Sequence, residues 1–270
     1  LSIGDARFSD FAGSSIVHSA GGWAALMGAI FLGPRIGKYG PDGKPRAIPG
    51  HNVGFAVVGV FVLWFGWFGF NAGSELAMDN WVAHCIMTTL LAGSAGVVGA
   101  GAAIWRKTGA MDVGMAGNGA LAGLVSITAG TGTMSFAGSV AVGFIGGVIV
   151  VYSVLFIERR GIDDPVGAVS VHGVCGAWGT LAIGFFARHD DAFLGRDDAG
   201  LFYGGGFDQL LVQAIGVVIV AVWVLGTTAI LFKVLKSTVG LRVSAEEELA
   251  GLDVAEHGSP GYGPEPVLVG

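Results

Sequence analysis

Charged side chains are scarce in this sequence, and their scarcity excludes most classes of soluble protein. Of the 270 residues, 13% are Asp, Glu, Lys or Arg, whereas 53% are hydrophobic and the mean hydropathy is +0.70. A water-soluble domain of ordinary composition carries about 25% charged residues. The composition therefore indicates an integral membrane protein.

Cysteines and basic clusters are also few. Cys85 and Cys175 lie in apolar segments and offer neither a disulfide framework nor a metal cluster, so we expect buried free thiols. The net charge of −6 comes largely from the region after Ser244, which holds five glutamates and Asp253. No basic patch is present, which argues against a nucleic-acid partner. The chain starts at Leu1 without a signal-peptide pattern, and we interpret it as a fragment or a processed piece.

In place of charged segments and cysteines, the chain contains long apolar runs. About 20 apolar residues span the hydrocarbon core of a bilayer, and we predict an all-α membrane protein, a polytopic bundle with seven transmembrane helices. They are expected near residues 10–34, 53–73, 82–106, 111–130, 135–158, 165–187 and 207–235. Residues 1–236 would then form a transmembrane domain, and residues 237–270 a cytoplasmic C-terminal tail.

Lysines and arginines predict the orientation, because short cytoplasmic loops are enriched in them. Eleven of the fourteen basic residues follow the first, third, fifth and seventh predicted spans, which places them on one side of the membrane. They are Arg35, Lys38, Lys44, Arg46, Arg106, Lys107, Arg159, Arg160, Lys233, Lys236 and Arg242. We therefore expect the N-terminus outside and the C-terminus in the cytoplasm.

Two stretches share the pattern D-x2-G-x3-V-H-x3-G. Residues 10–22 read DFAGSSIVHSAGG and residues 164–176 read DPVGAVSVHGVCG. The first would enter the membrane from outside and the second from the cytoplasm, as antiparallel halves of an inverted repeat. His18 and His172 each lie eight residues into their stretch, about 12 Å at 1.5 Å per residue. In a core about 30 Å thick, their rings should meet near the midplane.

An ionisable side chain inside a membrane is costly, so its presence there indicates function. We interpret His18 and His172 as substrate-pathway residues that can hold a small polar molecule or pass a proton by exchanging tautomers. A catalytic zinc would need a third protein ligand. Only His84, beside Cys85, is a candidate for it. A membrane metalloenzyme is therefore the remote alternative.

The two motif aspartates suit the starts of helices. Asp at an N-cap position accepts hydrogen bonds from otherwise unpaired backbone N–H groups, and Asp164 is followed by Pro165, a residue favoured in the first turn. We predict a helix cap at Asp164. Asp10 faces the outer side, where capping and electrostatic attraction of a cation are equally open.

The segment GWFGFNAGS, residues 66–74, ends the second predicted span and marks the outer mouth. Trp67, Phe70 and Ser74 are spaced by three and four residues and share one helical face. Aromatic rings beside a hydroxyl suit a small cation, through cation–π attraction and one hydrogen bond. Aromatic residues at a membrane interface are also commonly a simple belt, so the spacing leaves both interpretations open.

Four stretches, in this order, resemble the ammonium transporter family (Amt/Mep/Rh), and in particular its Amt members. They are DFAGSSIVHSAGG, GWFGFNAGS, ERRGIDDPVGAVSVHGVCG and TVGLRVSAEEELAGLDVAEHG. The resemblance implies eleven spans, built from an inverted pair of five-helix repeats and a final helix, in homotrimers with one pore per subunit. This chain would correspond to helices five to eleven. Without the other four, we expect that it would not transport alone.

The resemblance also implies roles for the pathway residues. His18 and His172 would be the twin pore histidines, and Phe70 would belong to the phenylalanine gate. Trp67 and Ser74 would line the outer side of the path.

The implied function is an ammonium channel or transporter of the cell membrane, active in nitrogen uptake, without a cofactor or enzyme activity. It would recruit ammonium near Asp10, remove a proton and conduct ammonia past the histidines into the cytoplasm. An ammonium sensor and an Rh-like ammonia gas channel remain alternatives. The tail, residues 238–258, resembles the segment through which a PII-type signalling protein regulates such channels.

Overall fold

Helices form most of the fold in residues 1–188 and 199–263, the part of the chain that this computed structural model describes. The first residues form two short antiparallel strands, β1 (Ser2–Ile3) and β2 (Ala6–Arg7), in which Ser2 pairs with Arg7. Two π-helical segments, Ser14–Ser19 and Val169–Val174, precede α1 and α6. The α-helices are α1 Ala20–Leu32, α2 Val53–Gly73, α3 Asn80–Thr108, α4 Val113–Thr128, α5 Phe136–Arg159, α6 Cys175–Phe186, α7 Asp208–Thr238, α8 Ala245–Ala250 and α9 Leu252–His257.

Six helical stretches among these residues are long and apolar enough to cross a membrane. They are Ser14–Leu32, Val53–Gly73, Asn80–Thr108, Phe136–Arg159, Val169–Phe186 and Asp208–Thr238. The predicted all-α membrane bundle is confirmed. The fourth of the seven predicted spans is shorter than expected, because α4 has 16 residues. At 1.5 Å per residue it is about 24 Å long, less than the roughly 30 Å of a hydrocarbon core.

Polar residues begin several of the long helices. The side chains of Asn52, Asp79, Asp112 and Ser135 each accept a hydrogen bond from a backbone N–H in the first turn of α2, α3, α4 and α5, respectively. Such N-caps satisfy donors that the helix itself cannot. Turn residues in the sequence therefore fix where these helices start.

The centre of the bundle is α4, which packs against α3, α5 and α6. Leu124, Val125 and Ile127 on α4 are fully buried. Small residues bring α3 and α4 into backbone contact, since a Cβ atom added at Gly96 would lie 2.2 Å from the carbonyl oxygen of Gly119. This is the close packing that small residues allow between membrane helices.

The outer faces of α2 and α7 carry large exposed apolar side chains. Phe61 and Phe65 on α2 are 63% and 79% exposed, and Trp223 on α7 is 70% exposed. Apolar surface of this extent is stable against lipid or against further apolar protein surface. These two helices thus form the periphery of the described bundle.

An ion pair joins the loop after α1 to the residue before the second motif, and a hydrogen bond joins the same loop to the tail. The Arg35 guanidinium donates to both oxygens of Asp163, from Nε at 2.8 Å and Nη2 at 2.9 Å. In the tail, Glu248 accepts from Arg242 Nη2 at 2.7 Å and from the backbone N–H of Ile36 at 2.8 Å. Helix α8 is therefore attached to the loop that follows α1.

Candidate functional site

The two motif histidines meet inside the bundle. Nδ1 of His18 lies 3.2 Å from Nδ1 of His172, and the ring centroids are 5.3 Å apart with an interplanar angle of 21°. A contact of this length is a hydrogen bond when one ring carries its proton on Nδ1 and the other presents a lone pair there. Nε2 of His18 is buried and has no protein partner.

The aspartates of the two motifs make similar contacts. Asp10 Oδ2 accepts hydrogen bonds from the backbone N–H groups of Ser15 and Ile16, at 2.9 and 2.8 Å. The Asp164 carboxylate accepts from the N–H groups of Ala168 and Val169, at 2.9 and 2.8 Å. Both carboxylates thus pair donors in the first turn of their helix. Asp10 Oδ1 is buried and has no protein partner.

The first glycine of each motif makes the turn between the aspartate and the helix. Gly13 has φ of 104° and Gly167 has φ of 79°, a region that only glycine adopts without strain. The carbonyl of Gly13 accepts hydrogen bonds from Val17 at 3.1 Å and from His18 at 2.9 Å. The bond from His18 spans five residues and gives this segment its π-helical form.

The last glycine of each motif lies where the two stretches cross. A Cβ atom at Gly22 would be 2.0 Å from the backbone nitrogen of Gly173, and one at Gly176 would be 2.3 Å from the carbonyl oxygen of Ser14. The end of the second stretch therefore touches Ser14 in the first, and the end of the first stretch touches Gly173, the residue after His172. Only hydrogen in place of a side chain permits this approach, which brings the two imidazoles together.

Two aromatic residues of α2 pack on His18. The Trp67 ring lies 4.8 Å from the His18 ring at 14°, and the Phe70 ring lies 5.5 Å from it at 56°. Trp67 is 6% exposed, and its Nε1–H donates to Thr128 Oγ1 at 3.0 Å. Its indole is therefore enclosed by protein and lies beside the histidine pair, in a different environment from a surface belt.

Ser74 lies one turn beyond Phe70. Its hydroxyl donates to the backbone carbonyl of Phe70 at 2.8 Å. A serine oxygen that donates in this way still has lone pairs with which to accept a hydrogen bond. The path from the His18 ring toward the C-terminal end of α2 thus passes Trp67, Phe70 and Ser74 in this order.

The metal-centre alternative receives no geometric support from His84. Its Nε2 lies 3.1 Å from the Met134 carbonyl oxygen, and its ring stacks on Phe136 at 5.2 Å. Within residues 1–188 and 199–263, no three His, Cys, Asp or Glu side chains come together in a way that could hold a metal ion.

Several hydroxyl groups that were not predicted from the sequence also support the site. Ser15 Oγ lies 2.6 Å from Thr180 Oγ1 on α6, and Ser19 Oγ donates to the carbonyl of Gly173 at 2.9 Å. Ser14 Oγ accepts from Ala129 N and donates to Val125 O, both at 2.7 Å. The available signal was a polar residue within an apolar span, where hydroxyls often bond between helices.

Comparison with known proteins gives consistent matches. The model of the Ammonium Transporter Family matches residues 3–262. "Ammonium transporter Amt2" of Archaeoglobus fulgidus is 49% identical over 94% of this chain and 55% of its own length. "Ammonium transporter 1 member 2" of Oryza sativa is 38% identical over 94% of this chain and 54% of its own. The chain thus spans about half the length of the curated relatives it matches.

Solved structures match as well. A "Sensor Amt Protein" superposes with a TM-score of 0.85 and 42% identity, covering 93% of this chain and 60% of that one. Mep2 of Candida albicans superposes with a TM-score of 0.79 and 32% identity, covering 89% of this chain and 54% of its own.

Proposed function

This chain belongs to the ammonium transporter family, and we propose that the intact protein moves ammonium into the cell as ammonia, past the His18–His172 pair. The family comprises transporters and channels rather than enzymes. The observation that carries the proposal is the contact between two histidines from the two motif copies, 3.2 Å apart, with Trp67 and Phe70 packed on one of them.

Recruitment is assigned to the C-terminal end of α2, which the distribution of basic residues places outside. The ammonium ion has four N–H donors and no lone pair, so it needs acceptors. The Ser74 oxygen keeps free lone pairs, and the partly exposed ring of Phe70 offers cation–π attraction. The Asp10 carboxylate begins the motif that would enter the membrane from outside, and it adds negative charge on that side.

Deprotonation before the apolar passage follows from energetics. An isolated ammonium ion taken into a low-dielectric bore would lose hydration worth, in the idealised limit, tens of kcal/mol. Neutral ammonia avoids that cost. Potassium has a similar size, but it has no proton to lose and is excluded.

The histidine pair then provides the polar groups of an otherwise apolar path. The bond between the two Nδ1 atoms leaves each Nε2 available, and Nε2 of His18 is buried without a protein partner. An imidazole nitrogen can donate to the ammonia lone pair or accept from its N–H groups, depending on the tautomer. Exchange of tautomers along the pair would also carry the released proton inward.

The setting of the pathway is proposed from the loop charges and the family. The basic end of the bundle faces the cytoplasm of a plasma membrane, and the intact protein is a homotrimer with one pore per subunit. Residues 1–236 lie in the membrane and the tail, residues 237–270, in the cytoplasm. The attachment of α8 through Glu248 and Ile36 gives a PII-type protein a route to the loop after α1.

The test is electrical measurement on the intact protein in liposomes. We expect ammonium to evoke a saturable inward current and potassium, at equal concentration, to evoke only a small residual current. Absence of both current and labelled methylammonium uptake would contradict transport.

A sensor is the second candidate, because one similar structure is titled "Sensor Amt Protein". A sensor would bind ammonium without appreciable flux. Saturable binding to the detergent-solubilised protein, together with no methylammonium uptake into liposomes, would favour that role over a transporter.

A further inference from the structure

A network of buried hydroxyls lies beside the C-terminal part of α2. Thr88 and Thr89 on α3 place their Oγ1 atoms 2.8 and 3.3 Å from Thr131 Oγ1. Thr89 also donates to the backbone carbonyl of Cys85 at 2.6 Å. All three threonines are fully buried. A buried network of this kind is rigid, because breaking any one bond leaves a polar group without water or a partner.

Asn71 connects α2 to this network. Its side chain is fully buried, and its Nδ2 donates to Thr89 Oγ1 at 2.9 Å. Since the Thr89 proton is used on the Cys85 carbonyl, Thr89 Oγ1 is the acceptor, and only the nitrogen of the carboxamide can donate to it. The hydrogen bond therefore fixes which way the amide is turned.

A second hydrogen bond holds α2 in place one helical turn before Asn71. The Nε1–H of Trp67 donates to Thr128 Oγ1, which in turn donates to the Leu124 carbonyl at 2.7 Å. Trp67 and Asn71 are four residues apart and lie on one helical face. Most of the other side chains of α2 are exposed in the described bundle. Two polar anchors thus determine how this helix is rotated about its axis.

The rotation of α2 decides where Phe70 points. Phe70 directly precedes Asn71, and its ring lies 5.5 Å from the His18 ring. Successive side chains of an α-helix are about 100° apart, at 3.6 residues per turn. A helix fixed by Asn71 and Trp67 therefore holds the Phe70 side chain in one direction, and a rotation of the helix would carry the ring away from the histidine.

We propose that Asn71 is a positioning residue: its hydrogen bond to Thr89 holds the Phe70 ring over His18 and so keeps hydrated cations from the histidine pair. The inference rests on the proposed function, because it concerns the ion selectivity of that same pathway. Asn71 and Thr89 thus contribute to ion selectivity indirectly, by fixing the position of the Phe70 ring.

Two variants remove the same hydrogen bond from opposite sides. Asn71→Leu keeps the approximate shape of the side chain, and Thr89→Val replaces the hydroxyl by a methyl group. In the intact protein in liposomes, we expect each to lower the ratio of ammonium-evoked to potassium-evoked current about tenfold, on the scale of one buried hydrogen bond. The double variant should be no worse than Thr89→Val alone, because that variant already lacks the bond to Asn71, together with the Thr89 bond to the Cys85 carbonyl.

Ser94→Ala is the matched control. Ser94 lies on α3 like Thr89, but its hydroxyl donates to the Leu90 carbonyl of its own helix. It should keep the wild-type ratio. If Asn71→Leu does not accumulate, Thr89→Val carries the test alone. A ratio that stays within about twofold of wild type in the variants that fold would overturn the inference.

Structures of the variants separate this inference from the proposed function. If the wild-type protein passes no current at all, transport is wrong, but the position of Phe70 still decides the inference. A Phe70 ring displaced from His18 in the Asn71→Leu or Thr89→Val structure would support it. A ring in the same place would contradict it.

Discussion

Nδ1 of His18 lies 3.2 Å from Nδ1 of His172, although 154 residues separate them in the chain. Each ring reaches that position through the same succession of a capping aspartate, a positive-φ glycine and a glycine at the crossing point. The repeated motif therefore brings two imidazoles together from opposite directions. Its parts can be tested separately.

The crossing glycines should not tolerate even one methyl group. In Gly22→Ala the new Cβ would meet the Gly173 backbone at 2.0 Å, so we expect destabilisation of about 3 kcal/mol, near the upper end for overpacking. Thermal unfolding in detergent measures it. The neighbouring Gly21→Ala is the control, because a Cβ there meets nothing within 4 Å. Equal unfolding temperatures for the two variants would contradict the tight crossing.

The Arg35–Asp163 pair should make stability depend on pH. Burial alone would raise the pKa of Asp163, but hydrogen bonds and charge from Arg35, with the charge of Lys38, lower it below its ordinary value of 3.8. A lowered folded-state pKa means that the stabilisation is complete above pH 3.8 and disappears as the pH falls through the folded-state pKa.

Asp163→Asn should therefore destabilise the protein near pH 7, by about 2 kcal/mol, since Asp163 is buried while Arg35 is partly exposed. The difference from wild type should shrink below pH 3.8. Asp42→Asn is the control, because Asp42 pairs with Lys44 on the surface at 3.7 Å. Denaturant unfolding at several pH values gives these energies, and a constant difference down to pH 2 would refute the linkage.

The tail should loosen when Glu248 is removed. Glu248→Ala deletes the acceptor of the Ile36 N–H and the partner of Arg242. Because these contacts are near the surface, we expect the Ile36 amide to exchange about fivefold faster with deuterated water. Glu246→Ala on the same helix is the control and should leave that rate unchanged. An unaltered rate in Glu248→Ala would show that α8 is held to the loop by other contacts.

The sequence predicts much of this arrangement for clear physical reasons. Apolar runs require helices in a membrane, and the alternation of loop charges indicates that the two motifs run in opposite directions. Those two facts bring His18 and His172 to the same depth, and the structure has them in contact. The hydrogen bonds of Asp164 to first-turn N–H groups follow from local chemistry in the same way, whereas the sequence leaves the role of Asp10 open.

Other features depend on contacts that no local pattern specifies. The sequence predicts ordinary helices at the histidines, whereas π-helical segments form there, with Gly13 accepting from both Val17 and His18. The spacing of Trp67 and Phe70 leaves open whether they face lipid or a pathway, because packing against His18 and hydrogen bonds to Thr128 and Thr89 set the rotation of α2. Helix α4 has only 16 residues, and no local pattern predicts that α3, α5 and α6 pack around it.

The central claim is that the histidine pair carries the substrate and excludes potassium. The most direct measurement is the ammonium-evoked and potassium-evoked current of the reconstituted intact protein with His18→Ala and with His172→Ala. Loss of one ring removes the Nδ1–Nδ1 bond and the relay, so we expect the ammonium current to fall at least tenfold, or potassium to pass, in each variant. If both variants keep the wild-type ammonium current and still reject potassium, the account is wrong.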